Sequence, residues 1–224
     1  MRWILTVVAI VAFGGCANIQ PMALKTGQDR LDTAMHSVVL LTLEVQRHDG
    51  SRYQPIPSLV LVSQRETGPR EQARLYRFTK KHDAAEREGH AVYYISIALP
   101  EGPYRIDGIS GIAAAFPFVG KFYVPVLAEF EVASNSVTYL GHLDATLRER
   151  REGEFRAGPV IPLIDQAATG MIGHTWEVTI DNRYEADMAV FRERIPVFGN
   201  LSVQDAALPP WDRSAAQRLW DVEE

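Results

Sequence analysis

The sequence predicts a mainly-β fold, an antiparallel β-sandwich with one or two C-terminal helices. Two observations carry that prediction. Between residues 37 and 180, eight or nine short stretches alternate apolar and polar residues with period two, and Pro, Gly and Asn–Ser turn signals separate them. A helical period of 3.6 shows only beyond residue 181. With 46% hydrophobic residues in 224, the chain has enough apolar surface for one core, and its 16 Gly and 13 Pro leave no low-complexity stretch.

The first strand signal is Ser37–Gln46, β-branched and apolar on both faces at its start, as in a strand covered on both sides. Pro55 and Pro57 are expected to turn the chain into a strand at Ser58–Ser63, and Arg74–Thr79 forms the next. The charged segment Lys80–Gly89 is expected as a connection to His90–Leu99, where Tyr93, Ile95, Ile97 and Leu99 share one face. Tyr104–Ile106, Phe122–Val126 and Glu129–Val132 follow as short strands. In Val137–Leu147, strict alternation aligns Val137, Tyr139, Gly141, Leu143, Ala145 and Leu147, and Thr175–Ile180 repeats the pattern. Asp181 is expected to cap a helix running through Arg194, with Tyr184, Met188, Phe191 and Ile195 as its apolar stripe. A second helix is expected over Asp212–Trp220.

The N-terminus carries a different signal. Arg2 precedes an eleven-residue run, Trp3–Phe13, polar only at Thr6. A membrane-spanning helix needs about 20 residues, so this run has the length of a signal-peptide core instead. Behind it stand Gly14, Gly15 and Cys16, the only cysteine in the chain. A lone thiol in an exported chain has no disulfide partner, and acylation would remove that difficulty.

Phe13-Gly14-Gly15-Cys16 resembles the lipobox of bacterial lipoproteins, with a bulky residue at −3, small residues at −2 and −1, and the obligatory Cys. The resemblance implies that residues 1–15 are a signal peptide cleaved before Cys16, which then carries a diacylglycerol and an amide-linked acyl chain. Residues 16–35 are expected as a lipidated tether, and 36–224 as one sandwich domain. Ala17, where an enterobacterial retention signal has Asp, implies sorting to the outer membrane with the domain in the periplasm. Leu99-Pro100-Glu101-Gly102-Pro103-Tyr104-Arg105-Ile106 resembles the hairpin of transthyretin-like and carboxypeptidase-regulatory-like sandwiches, which implies a fold and no particular reaction.

Chemical motifs narrow the function without naming it. A formal charge of −5 with scattered basic residues excludes a nucleic-acid footprint. Gly108-Ile109-Ser110-Gly111 approaches the G-x-S-x-G elbow but has Ile112 where the second glycine belongs. The six histidines, His36, His48, His82, His90, His142 and His174, show none of the short spacings of metal sites, so no metal and no cofactor are expected. His142 and Asp144 share a strand face and could bind a cation, although an exposed polar sheet surface is the plainer reading. The alternating run Arg148–Glu154 reads as a solvated hairpin end. Ile109–Gly120 is uncharged and holds Phe116-Pro117-Phe118, either a buried hairpin or a loop touching lipid or a partner.

The expected function is therefore a lipid-anchored cell-envelope protein acting as a non-catalytic binding or assembly module. Its partners are the membrane, through the anchor, and an envelope protein. The alternatives are an envelope hydrolase built from His142, Asp144 and Ser110, and a periplasmic carrier of a small ligand in the sandwich interior.

Overall fold

Alternation in the stretch after Ser37 sends Val39, Leu41 and Leu43 to one side and Val38 and Leu40 to the other, and all five are buried. A strand of that kind has to be covered on both faces, and the architecture supplies both covers. The computed structural model describes residues 19–30, 37–47, 54–65, 73–115, 118–158, 171 and 173–223. Within them run β1 (Ile19–Pro21), β2 (Ser37–Arg47), β3 (Gln54–Gln64), β4 (Arg74–Arg77), β5 (Ala84–Arg87), β6 (His90–Leu99), β7 (Gly102–Ala115), β8 (Phe118–Val132), β9 (Val137–Glu149), β10 (His174–Asp181) and β11 (Gln204–Asp205). The helices are α1 (Lys80–Asp83), α2 (Tyr184–Arg194) and α3 (Arg213–Glu223).

Two sheets face each other. One has five strands in the order β1-β4-β3-β7-β8; the other runs β10-β9-β2-β6-β5, with β11 added beside β9. The mainly-β sandwich expected from the sequence is what forms. Besides the antiparallel ladders, β1–β4, β2–β9 and β11–β9 pair in parallel, so both sheets are mixed. Between them lies a core of Leu41, Leu43, Val60, Phe78, Ile95, Ile106, Phe122, Val124, Leu147 and Trp176, among others. The outer face of the six-stranded sheet holds a second cluster, in which Met188, Phe191 and Ile195 of α2 pack on Leu40, Tyr94 and Tyr139. α3 joins the two sheets at one edge: Ala216 enters the central core, and Arg213 bonds the Trp176 carbonyl of β10.

Several elements differ from the sequence reading, each for a physical reason. Pro55 and Pro57 lie inside β3, not in a turn before it. They pair with Ala113 and Gly111 of β7, whereas β4 pairs only with Leu59–Val62, so no ladder on the β4 side asks them for an N–H. The charged segment Lys80–Gly89 is not merely a connection: it builds α1 and then β5, the outermost strand of its sheet, where charges discourage further pairing. Phe122–Val126 and Glu129–Val132 are parts of one long strand, β8, bent at Leu127, whose φ is 54°. Arg183 takes the cap position of α2 without a side-chain cap bond; Asn182 Oδ1 accepts from Tyr184 N at 3.0 Å, and Asp181 ends β10.

The stretch expected as a tether folds early. Ile19–Pro21 is already β1, Met22 and Leu24 are buried, and Ser96 Oγ accepts from Leu24 N at 2.9 Å. Apolar side chains so near open strand positions gain more by burial than by solvation. Phe13, Gly14, Gly15 and Cys16 lie outside the described residues, as do Phe116, Pro117 and the side chain of Phe118.

One break in the pattern positions the site. Strict alternation would align Tyr139 with Leu143 and set both opposite His142. Instead Leu40 pairs with Tyr139 and Thr42 with His142, so β9 spends one residue more than β2 over the same interval. The extra residue is a bulge around Gly141, whose φ of +113° suits glycine. As a result Tyr139 and His142 both face α2, and Leu140, Leu143, Ala145 and Leu147 all reach the central core.

Candidate functional site

Beyond the bulge, the parallel pairing of β2 and β9 builds three polar rungs on the outer face: Thr42 beside His142, Glu44 beside Asp144, Gln46 beside Thr146. The first rung is sealed. His142, Thr42 and Asp187 are each 0% exposed, because α2 lies over them and Asp187 enters from its first turn. The expectation of an exposed polar surface therefore fails at His142: the helix roofs that end of the face. Asp144, at the second rung, is only half-buried.

Proton counting fixes the state of the buried rung. Asp187 Oδ2 accepts from Tyr139 at 2.6 Å and from Thr42 Oγ1 at 2.5 Å, an acceptor role that suits an ionised carboxylate. The single Thr42 proton is thereby used, so its oxygen accepts from His142 Nδ1, 2.9 Å away. His142 then carries its proton on Nδ1 and presents a bare lone pair at Nε2. That nitrogen is buried and has no hydrogen-bond partner. Burial, and next the nearby Arg183, lower the pKa of His142, which keeps the ring neutral.

The second rung gathers negative charge around that lone pair. Glu44 Oε2 stands 4.0 Å from His142 Nε2. Gln46 Nε2 donates to Glu44 Oε1 at 2.8 Å and to Asp144 Oδ2 at 3.2 Å, and Thr146 Oγ1 donates to Asp144 Oδ1 at 3.2 Å. Burial raises the pKa of Glu44, and the carboxylate of Asp144 raises it further, while His90, Arg183 and Arg87 oppose the rise. One ligand-type atom each from Glu44, His142 and Asp144 lies within 4.8 Å of the others. Among the described residues this is where electron-pair donors converge.

The other candidate residues are not drawn together. Ser110 sits on β7 of the opposite sheet and lines a cleft of about 490 Å³ with Arg105, Asp107, Lys121, Tyr123 and Trp220. His142 and Asp144 are not among that cleft's walls, so the hydrolase trio is not one site. Between the sheets, where a carried ligand would sit, stand the side chains of the central core, Leu43, Phe122 and Trp176 among them. Within the uncharged segment, Ile109–Ala115 extends β7 and Phe118–Gly120 opens β8, and the two strands pair antiparallel as far as Ala115 beside Phe118.

Sequence reading found two of the converging donors and missed Glu44. Its signal was there: Thr42, Glu44 and Gln46 are polar at period two, as are His142, Asp144 and Thr146. The chain matches no family model, no curated protein and no solved structure.

Proposed function

We propose that the protein is a lipid-anchored resident of the cell envelope whose sandwich rests on the membrane by its five-stranded sheet and presents a binding face on the other. It acts as a binding or assembly module without catalysis of its own. The observation that carries this reading is the placement of Cys16 three residues ahead of β1. Three residues reach about 10 Å at most, so acyl chains on that sulfur hold β1 close to the headgroups.

The chemistry of the five-stranded sheet supports the same reading. The exposed large apolar residues among the described ones are Ile19, Ile56, Ile112 and Val119, and all four belong to this sheet. Ile56 pairs with Ile112, and Val119 pairs with Ala114, two residues further along the same strand face. Ile19 pairs with Leu75, and Leu75 with Leu61, whose neighbours Val60 and Val62 point into the core. These residues therefore share the outer face, where Ile56, Ile112 and Val119 form a small apolar patch beside Lys121, and such a patch, with a cation at its rim, suits contact with a lipid boundary. The polar rungs of β2 and β9 face the opposite way.

The test is the mass and behaviour of the mature chain. The native polypeptide should begin at Cys16 and weigh more than its amino acids by the acyl groups. Cys16→Ser should abolish acyl labelling and release the protein from the membrane fraction. A mature chain without added mass, or unchanged labelling in the variant, would overturn the reading. Replacing Ile56, Ile112 and Val119 by Ser in the unacylated chain should weaken its flotation with phosphatidylethanolamine–phosphatidylglycerol vesicles.

A further inference from the structure

We propose that Glu44, His142 and Asp144 bind a single divalent transition cation of the zinc class. The proposal goes beyond the anchoring reading and holds whether or not Cys16 is acylated. Three features support it. The first is donor chemistry: one neutral imidazole and two carboxylates make a nitrogen–oxygen set with a combined charge of −2, which a dication neutralises. Imidazole favours zinc, iron or nickel over calcium and magnesium, which prefer oxygen ligands throughout.

The second is the orphaned atom. His142 Nε2 is fully buried, has no hydrogen-bond partner and is aimed at Glu44 Oε2 across 4.0 Å. Both atoms carry lone pairs, and at 4.0 Å no hydrogen bond joins them. A buried acceptor left in that state costs about 1–3 kcal/mol. A cation between the three groups satisfies them together. The spacing suits this: a tetrahedral ion with bonds of ~2.1 Å holds its ligand atoms about 3.4 Å apart. Donors that now lie within 4.8 Å of each other reach that distance by small rotations of the two carboxylates.

The third is the support behind the ligands. Metal-bound histidines characteristically give their other N–H to a fixed acceptor, which sets tautomer and ring orientation. Here Thr42 Oγ1 takes the Nδ1 proton, and Thr42 is itself fixed by Asp187. Gln46 orients Glu44 through Oε1, and Gln46 and Thr146 together orient Asp144 through its two oxygens, each of which keeps a lone pair for an ion. With three protein ligands, the fourth position stays open on the half-buried Asp144 side, where water or a ligand group completes the shell.

The experiment uses the full mature chain, untagged, purified in detergent and stripped with a chelator. Titration with Zn²⁺ followed by elemental analysis should give one equivalent per chain, and Co²⁺ should develop visible d–d bands at the same stoichiometry. Glu44→Gln and Asp144→Asn should each weaken Zn²⁺ binding by at least about tenfold, with circular dichroism unchanged. These two variants are the decisive ones, because His142→Ala also disturbs the packing under α2. Binding of less than about one-tenth of an equivalent by the folded chain, or equal affinity in both variants and the parent, would overturn the proposal. Neither result bears on the acyl mass at Cys16, so the two readings fail separately.

Discussion

The hydroxyl of Tyr139 donates to Asp187 Oδ2 across 2.6 Å, joining the strand just before the β9 bulge to the first turn of α2. Both groups are fully buried. The contact is the polar pin by which the helix is set over the six-stranded sheet, amid the apolar contacts of Met188 and Phe191. Burial, reinforced by the Asp187 carboxylate, raises the Tyr139 pKa far above its usual range, so the hydroxyl stays a donor at every working pH.

Tyr139→Phe should therefore destabilise the fold by about 1–3 kcal/mol, the cost of withdrawing one donor from a buried carboxylate. Asp187→Ala should cost more, about 3–5 kcal/mol, because it strands the buried hydroxyls of both Thr42 and Tyr139. Urea denaturation of the two variants checks this. Equal midpoints for both and the parent would mean that the pin is not a stabilising contact.

Phe191 meets Tyr94 edge-on at 5.1 Å and Phe198 at 5.9 Å, and it is fully buried. Phe191→Ala leaves a cavity under α2 that the flanking rings can only partly fill, with an expected loss of about 3–5 kcal/mol. Amide exchange should rise first along residues 184–194. Exchange that rises first between the two sheets would contradict the separation of the two clusters.

At the end of β9, Glu154 is gripped by Arg148 at 2.7 and 2.8 Å and by Arg213 of α3 at 2.9 Å, so the solvated hairpin end also serves as a clasp. The hydrogen bonds from Arg148 hold its pKa down to about 2. A depressed carboxylate pKa stabilises the fold above the unfolded value near 4.5, and the contribution fades as pH falls toward 2. Glu154→Gln should cost about 1–2 kcal/mol at neutral pH, partial exposure having screened the pair. The gap between parent and variant should close in melting curves taken from pH 5 down to pH 2. A gap that stays constant would assign the effect to packing.

Gly141→Ala tests the bulge. A Cβ there would sit 3.1 Å from the Asp181 carbonyl, at a φ of +113° that side chains avoid. The expected cost is about 1–3 kcal/mol. Loss of Zn²⁺ affinity should accompany it, since restoring strict alternation turns His142 away from Glu44. Stability at the parent level would show that the bulge is indifferent to a side chain.

Local order was legible in the amino acids alone. Alternation in Ser37–Gln46 and His90–Leu99 and the Tyr184–Ile195 stripe are properties of neighbouring residues, and steric and solvation rules act on neighbours directly. The prolines of β3 and the Gly141 bulge escaped because their meaning depends on which strand lies alongside. The same holds for the cluster. His142 and Asp144 could be read as sharing a face, but Thr42 and His142 are 100 residues apart, and only the parallel docking of β2 on β9 brings Glu44 to them. Sequence periodicity says which side of a strand a residue occupies. Which strand becomes its neighbour, and whether a helix then roofs the pair, is settled by the whole core choosing the packing that buries most apolar surface.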